Sequence, residues 1–95
     1  MTVLQHDELE AIMAELEGWD GDTSSIEKSF RFDKFMDGIA FVSRIAEIAE
    51  EKNHHPDIDI RWTTVRVVLS THSEGGVTEK DIELAKAIDT AAHTR

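Results

Sequence analysis

The stretch "EEKNHHPDIDIRWTTVRVVLSTH", residues 50–72, governs how this chain folds and where its chemistry lies. It contains the only proline of the chain, Pro56, directly after two adjacent histidines, His54 and His55. Proline has no amide donor and disfavours helical geometry in the residue before it, so a helix that enters this stretch must end before Pro56. The pattern therefore predicts that the two imidazoles lie at a helix exit.

The residues after Pro56 are rich in Val, Ile, Thr and Trp, which is the composition of β-strands. Their number favours two strands with a tight turn near residues 62–64 over one bent strand. Before the histidines, apolar residues recur at helical spacing after Asp33, which is a good N-cap. We therefore expect a long helix that runs to about Lys52 and is followed by two strands.

The N-terminal third of the chain predicts a helix and a hairpin. Apolar residues at helical spacing favour a helix over residues 7–17, with Gly18 in the position of a left-handed C-terminal cap. Glycines and aspartates then mark turns around a short strand near Trp19, and alternating residues predict a longer strand over 25–32.

The C-terminal segment predicts a final helix with its own cap. Thr78 is the expected N-cap, and Asp81, three residues later, stands in capping-box position. The element order is then helix, hairpin, helix, strands, helix. This order is typical of an α+β fold in which an antiparallel sheet carries its helices on one face. We expect a single domain over residues 1–95.

Composition excludes several classes of function. The chain has 95 residues, no cysteine and a formal net charge of −10. Disulfides, thiolate nucleophiles and cysteine-ligated metals are therefore ruled out, and the scattered basic residues argue against direct nucleic-acid binding. No apolar run approaches the ~20 residues of a membrane span, and the acidic N-terminus does not resemble a secretory signal, so we expect a cytoplasmic protein.

The histidines are the candidates for chemistry. Of the five, His6 and His93 lie near the ends of the chain and are expected to be exposed. Glu50 precedes His54 by four residues, which on a continuous helix would place the carboxylate beside the imidazole and orient it. The alternative for His54 and His55 is purely structural, because histidine near a helix C-terminus can bind the last carbonyls.

His72 ends the last predicted strand in the sequence "STH" and is the third candidate. Strand ends and the loops after them commonly line pockets, so His72 and the backbone of Ser70 and Thr71 could contact a ligand. A three-histidine metal site is chemically possible but disfavoured, because adjacent histidines usually point in different directions. Asp81 has two interpretations, as part of the helix cap or as a site residue.

These residues together resemble the signature of the pterin-4a-carbinolamine dehydratases. The matching pattern is Glu50, three residues, His54-His55-Pro56, five residues, Trp62, nine residues, His72, eight residues and Asp81. The segments "EGWD" at residues 17–20 and "VTEKDIELAKAID" at 77–89 are also similar to the family. The resemblance therefore covers essentially the whole chain.

The resemblance implies a four-stranded antiparallel sheet with three helices packed on one face, and the dehydration of 4a-hydroxytetrahydrobiopterin to quinonoid dihydropterin without a metal or other cofactor. It implies that His54 and His72 protonate the departing hydroxyl, and that His55 mainly holds the pterin. The catalytic positions are then His54, His55, His72, Glu50 and Asp81. The substrate-binding positions are Asn53, His54, His55, Ser70, Thr71, His72 and Ser73.

The resemblance also implies a homodimer or homotetramer and a functional link to an aromatic amino acid hydroxylase. Two residues depart from several relatives, namely Lys80 in place of Arg and Asn53 in place of Asp, and both leave the substrate affinity open. Two alternatives stay open as well. One is an interaction or dimerisation protein without catalytic activity on the same fold, and the other is a histidine metal-binding domain.

Overall fold

The computed structural model describes residues 2–93, which form three helices and one four-stranded sheet. In chain order the elements are α1 His6–Met13, β1 Asp20–Gly21, β2 Ile26–Arg31, α2 Phe35–Lys52, β3 Asp57–Arg61, β4 Thr64–Leu69, a 3₁₀ turn His72–Glu74, and α3 Glu79–His93. The strands pair antiparallel in the order β1-β2-β4-β3. The α+β class and the four-stranded antiparallel sheet expected from the sequence are confirmed.

The alternation of residues along the strands places the core on one face of the sheet. In β4 the side chains of Val65, Val67 and Leu69 are buried, whereas Arg66 between them is exposed. Because successive side chains of a strand point to opposite faces, the first three lie beneath the helices and Arg66 lies on the open face. There Arg66 forms an ion pair with Glu27 of β2.

The helices close the core from the same side. Phe41 of α2 is fully buried, and its ring packs against Phe30 of β2 with a centroid separation of 4.8 Å. Ile88 of α3 and Leu9 of α1 contribute to the same cluster. Each such side chain stabilises the fold by roughly 1.5–3 kcal/mol on burial. In residues 2–93 no helix has both the length and the apolar character needed to cross a bilayer.

Two predicted helix boundaries were wrong. The first helix ends at Met13 rather than at residue 17, because the chain continues in turns up to Gly18, which has a φ of +87°. The N-cap of α2 is Lys34, which has extended backbone angles, rather than Asp33, and its side chain makes no capping hydrogen bond. Packing of the apolar face, rather than a side-chain cap, therefore sets the start of α2.

The predicted helix exit before Pro56 is confirmed. Helix α2 ends at Lys52, and the next residue, its C-cap Asn53, adopts the left-handed conformation with φ 53° and ψ 43°. The amide of His54 then donates to the carbonyl of Ala49 at 3.0 Å, which satisfies a carbonyl of the last turn. The chain thus turns sharply at Asn53 and reverses into β3.

The segment between β4 and α3 is held against the β1–β2 turn. The hydroxyl of Ser70 donates to the carbonyl of Ser24 at 2.7 Å, and the amide of Val77 donates to the carbonyl of Thr23 at 2.8 Å. Inside the segment, the amide of Thr71 donates to the carbonyl of Gly76 at 2.9 Å. These bonds fix the loop that carries His72.

The β1–β2 turn is itself stabilised by Asp22. The Ser24 hydroxyl, followed by the Ser24 and Ser25 amides, donates to the Asp22 carboxylate and lowers the pKa of this group below its usual value. A carboxyl group with a lowered pKa in the folded state stabilises the protein above its unfolded pKa and loses this contribution as the pH falls through the lower value. The turn therefore keeps these bonds at neutral pH.

We predict that Gly76→Ala destabilises the protein by about 1–3 kcal/mol, the usual range for overpacking. A Cβ atom at this position would lie 2.5 Å from the carbonyl oxygen of Thr23 and 2.9 Å from Cγ1 of Val3. The matched control is Gly75→Asn, because Gly75 has a φ of +79°, which asparagine tolerates, and no heavy atom lies within 4 Å of the point that a Cβ atom would occupy there. Urea unfolding measures both, and equal stability of the two variants would contradict the prediction.

Candidate active site

The buried carboxylate of Asp81 lies at the centre of the site. Asp81 is in the first turn of α3, and its side chain is 0% exposed. One oxygen, Oδ2, accepts hydrogen bonds from the Thr71 hydroxyl at 2.8 Å and from the Thr78 amide at 3.0 Å. The other, Oδ1, lies 2.6 Å from Nε2 of His54. A carboxylate removed from water requires such donors, and Asp81 has three.

Asp81 fulfils both of the interpretations that the sequence left open. Its bond to the Thr78 amide is one half of the expected capping box, and the Thr78 hydroxyl accepts a bond from the Lys80 amide at 3.2 Å. Its second oxygen leaves the cap and binds the imidazole of His54. The same side chain therefore starts α3 and orients a histidine.

The position of His54 follows from this contact. The side chain is 12% exposed, and Nε2 is bound to Asp81. Because an ionised carboxylate can only accept, Nε2 carries the proton, and Nδ1 is the nitrogen that keeps its lone pair. Nδ1 has no hydrogen bond to any residue within 2–93.

The predicted pairing of Glu50 with His54 was wrong. Glu50 instead binds Nε2 of His55, and this pair lies at the surface, with side-chain exposures of 78% and 57%. The reason is the left-handed conformation of Asn53, because it ends the helix before His54 and removes the four-residue spacing from one helical face. Asp81 takes the orienting role that the sequence had suggested for Glu50.

The strand end at residues 70–73 presents alternating environments. Thr71 is buried and faces Asp81, whereas His72 and Ser73 are exposed in the 3₁₀ turn. The Thr71 carbonyl accepts bonds from the amides of Glu74 and Gly75, so its backbone is bound inside the protein as well. Of the expected ligand positions in this segment, His72 and Ser73 are the ones whose side chains face solvent.

Three segments of the chain therefore meet at one carboxylate. They are the exit of α2 with His54, the end of β4 with Thr71 beside His72, and the start of α3 with Thr78. No buried side-chain nitrogen or oxygen in residues 2–93 lacks a hydrogen-bond partner. The site is a hydrogen-bonded polar network, and two exposed imidazoles, His55 and His72, directly follow its members His54 and Thr71 in sequence.

The sequence is matched by the family model described as pterin 4 alpha carbinolamine dehydratase, over residues 2–91. The chain belongs to this family. Among the curated relatives, one from Mycobacteroides abscessus is 56% identical over 90 residues, which is 95% of this chain and 96% of the relative. Another, from Mycobacterium sp. strain KMS, is 54% identical over 89 residues and covers 94% of this chain and 95% of its own length. The names of both place them among the pterin-4-alpha-carbinolamine dehydratases.

Solved structures agree with this family membership. A protein from Brucella melitensis, described as a transcriptional coactivator/pterin dehydratase, superposes with a TM-score of 0.89 at 35% identity and covers 94% of this chain and 97% of its own. A pterin dehydratase-like protein described as a RuBisCO assembly factor superposes with a TM-score of 0.67 at 24% identity, covering 81% and 89% of the two chains. The second likeness shows the fold alone.

Within residues 2–93, the ring nitrogens of His54, His55 and His72 in this pterin dehydratase family member do not converge as the ligands of a metal site. In residues 2–93 the side chains whose ligand atoms converge within 4.8 Å in a group of three or more are His6, Asp7 and Glu10, all exposed on α1. His6 and Glu10 form an ordinary i,i+4 pair, with 3.1 Å between Nε2 and Oε2. The arrangement around Asp81 instead suits proton transfer by an oriented imidazole.

We predict that the two carboxylates beside histidines differ sharply in their importance for stability. Asp81→Asn should lower the free energy of unfolding by about 1–3 kcal/mol, because an amide cannot accept all three buried bonds. Glu50→Gln should stay within the ~0.5 kcal/mol typical of surface substitutions. Urea unfolding at pH 7 compares the two isosteric changes, and equal losses would contradict the central position of Asp81.

Proposed function

We propose that this chain dehydrates 4a-hydroxytetrahydrobiopterin, a pterin-4a-carbinolamine, to quinonoid dihydropterin and water by general acid/base catalysis with histidine. The observation that carries the proposal is the orientation of His54 by the buried carboxylate of Asp81, beside the strand end that bears His72, in a chain of this family. A hydro-lyase of this kind needs proton donors and acceptors in fixed positions and no resident cofactor.

The reaction requires two proton transfers. The C4a–O bond breaks while the lone pair of the adjacent ring nitrogen forms a C=N double bond. The departing oxygen takes a proton and leaves as water, and a base removes the proton from that nitrogen. Histidine suits both steps, because its unperturbed pKa of about 6.5 allows it to give or take a proton near neutral pH.

His54 is proposed to carry out one of these transfers through Nδ1. Asp81 binds Nε2–H and thereby fixes the tautomer, in the way that a buried carboxylate orients the histidine of a catalytic triad. Neutral His54 then offers a lone pair at Nδ1, and protonated His54 offers a proton at the same atom. A positioned proton transfer of this kind is worth roughly 10²–10⁴-fold in rate.

The remaining residues are proposed to act on the other proton and on binding. His72 is exposed and free to serve as the second acid or base. His55, paired with Glu50, lies at the surface where it can hold the pterin ring. The side chains of Asn53 and Ser73 are exposed, and they directly precede His54 and follow His72 in sequence. They are proposed to pair with the pyrimidine edge of the pterin, which presents donors and acceptors like a nucleobase.

Such a reaction places the chain beside an enzyme that supplies the carbinolamine. The resemblance names aromatic amino acid hydroxylases as the source of this compound, so we propose a functional link to a hydroxylase and a shared location in the cytoplasm.

We also propose that the chain forms a homo-oligomer through β3, which lies at one edge of the sheet. If two copies of β3 paired antiparallel about Asp59, Arg61 of each copy would lie opposite Asp57 of the other. Ile58 would lie opposite Ile60, which is exposed in the single chain. The charge pattern "DIDIR" of this strand is thus complementary to itself in that register, and the pairing would cover an open strand edge.

Sedimentation equilibrium tests this assembly. We expect the wild-type chain at micromolar concentration to sediment as a dimer or tetramer, and Ile60→Lys to shift the equilibrium towards the monomer. Met36→Lys, which alters an exposed apolar side chain on α2, is the matched control and should leave an edge-to-edge dimer intact. A monomeric wild-type protein would refute the proposal.

We predict that replacing both His54 and His72 by glutamine reduces carbinolamine decay to its spontaneous rate, while each single change lowers kcat by about 10²-fold or more. Stopped-flow absorbance of carbinolamine decay with and without the protein measures these rates. His93→Gln, which changes an exposed histidine at the end of α3, is the control and should retain full activity. Undiminished turnover by the double variant would rule out the assignment.

A further inference from the structure

Thr71 is buried at a strand end whose next residues are exposed. Its residue exposure is 4%, and its hydroxyl oxygen lies 2.8 Å from Oδ2 of Asp81 and 2.8 Å from the hydroxyl oxygen of Thr78. A hydroxyl carries one proton and can therefore donate to only one of these partners. The direction of both hydrogen bonds then follows from Asp81, the acceptor at the end of the series.

The carboxylate of Asp81 determines the direction in which each hydroxyl of this network donates its proton. Because the carboxylate can only accept, Thr71 must donate to it, and Thr78 must donate to Thr71. The oxygen of Thr78 in turn accepts from the amide of Lys80. The result is a directed chain from the Lys80 amide through two hydroxyls to Oδ2 of Asp81, and such chains polarise each successive bond.

This series of hydrogen bonds determines which oxygen of Asp81 remains for His54. With the Thr71 hydroxyl and the Thr78 amide both donating to Oδ2, that oxygen has no room for a proton or for the imidazole. Oδ1 is left to bind Nε2–H of His54. Without the Thr71 hydroxyl, the carboxyl group could rotate or take its proton on the oxygen that faces His54, and Nε2 could then accept from that carboxyl O–H in the tautomer with the ring proton on Nδ1.

We propose that Thr71 is a positioning residue for the dehydration rather than a substrate contact. Its hydroxyl donates to Oδ2 of Asp81 and so fixes the orientation of the carboxylate. The carboxylate in turn holds His54 in the Nε2–H tautomer, which leaves Nδ1 available. The catalytic part of this inference rests on the proposed function, whereas the tautomer part rests on the geometry alone.

The test compares Thr71→Val, which keeps the shape and removes the donor, with Thr71→Ser, which keeps the donor. The ¹⁵N shifts of the His54 ring report its tautomer, and stopped-flow kinetics report kcat and KM. For Thr71→Val we expect a mixed tautomer population and a kcat lowered about 10- to 100-fold, the range seen for outer partners of oriented histidines, with KM nearly unchanged. Thr71→Ser should restore both the Nε2–H tautomer and kcat.

A control separates positioning from general destabilisation. Ile88→Val removes one methyl group from the buried face of α3 away from the site, and should lower Tm while preserving the tautomer and kcat. If Thr71→Val does not fold, Thr71→Cys, which replaces the hydroxyl by a weakly donating thiol, is measured in its place, and the same mixed tautomer population and lowered kcat are expected.

The Nε2–H tautomer and full kcat in Thr71→Val, or failure of Thr71→Ser to restore them, would overturn the proposal. If the wild-type chain does not accelerate carbinolamine decay, the proposed function fails. The ring shifts of His54 in the same variants still decide whether Thr71 sets the tautomer.

Discussion

The structure depends on keeping one carboxylate charged in the protein interior. Transfer of an isolated carboxylate from water into a protein costs several kcal/mol, and the cost is offset only where donors of good geometry replace the lost water. Asp81 receives these donors from three separate parts of the chain, namely His54 at the exit of α2, Thr71 at the end of β4 and Thr78 at the start of α3. In this fold the three segments come together at that charge.

The ends of α2 and β4 are shaped so that His54 and Thr71 both reach Asp81. Asn53 takes the left-handed conformation that turns the chain out of α2, and Pro56 prevents the helix from continuing. The sheet carries Thr71 to the same place from the other side, and the bond from Ser70 to the β1–β2 turn holds that strand end. In the proposed mechanism stability and catalysis are therefore coupled, because the residues that donate hydrogen bonds to the buried carboxylate are those that fix its contact with the imidazole.

Much of the fold could be predicted from the sequence, because it rests on local rules. Pro56 determined the helix exit, the alternation of residues determined the strands, and Thr78 with Asp81 marked the start of α3. The tight turn expected near residues 62–64 is also present, although Trp62 has a φ of 51°, an uncommon conformation for an aromatic residue that spacing does not reveal.

The site was only partly predictable, because its decisive contacts are tertiary. The resemblance implied that these histidines and carboxylates belong to one site, but the residue spacing paired Glu50 with His54. That error came from assuming a continuous helix through Asn53, whereas its backbone conformation redirects His54 to Asp81, 27 positions away in sequence. The positioning role of Thr71 could not be predicted either, because a threonine at a strand end does not indicate which buried acceptor its hydroxyl binds.

A crystal structure with a stable dihydropterin bound tests the role of the oriented imidazole most directly. We expect Nδ1 of His54 to lie within hydrogen-bond reach of the ring nitrogen next to C4a, or of the position that the departing hydroxyl occupies on C4a. We expect His72 to approach the same part of the ring, and Nε2 of His54 to stay on Asp81. A pterin bound away from these imidazoles, or a His54 ring released from Asp81 by the ligand, would contradict this role.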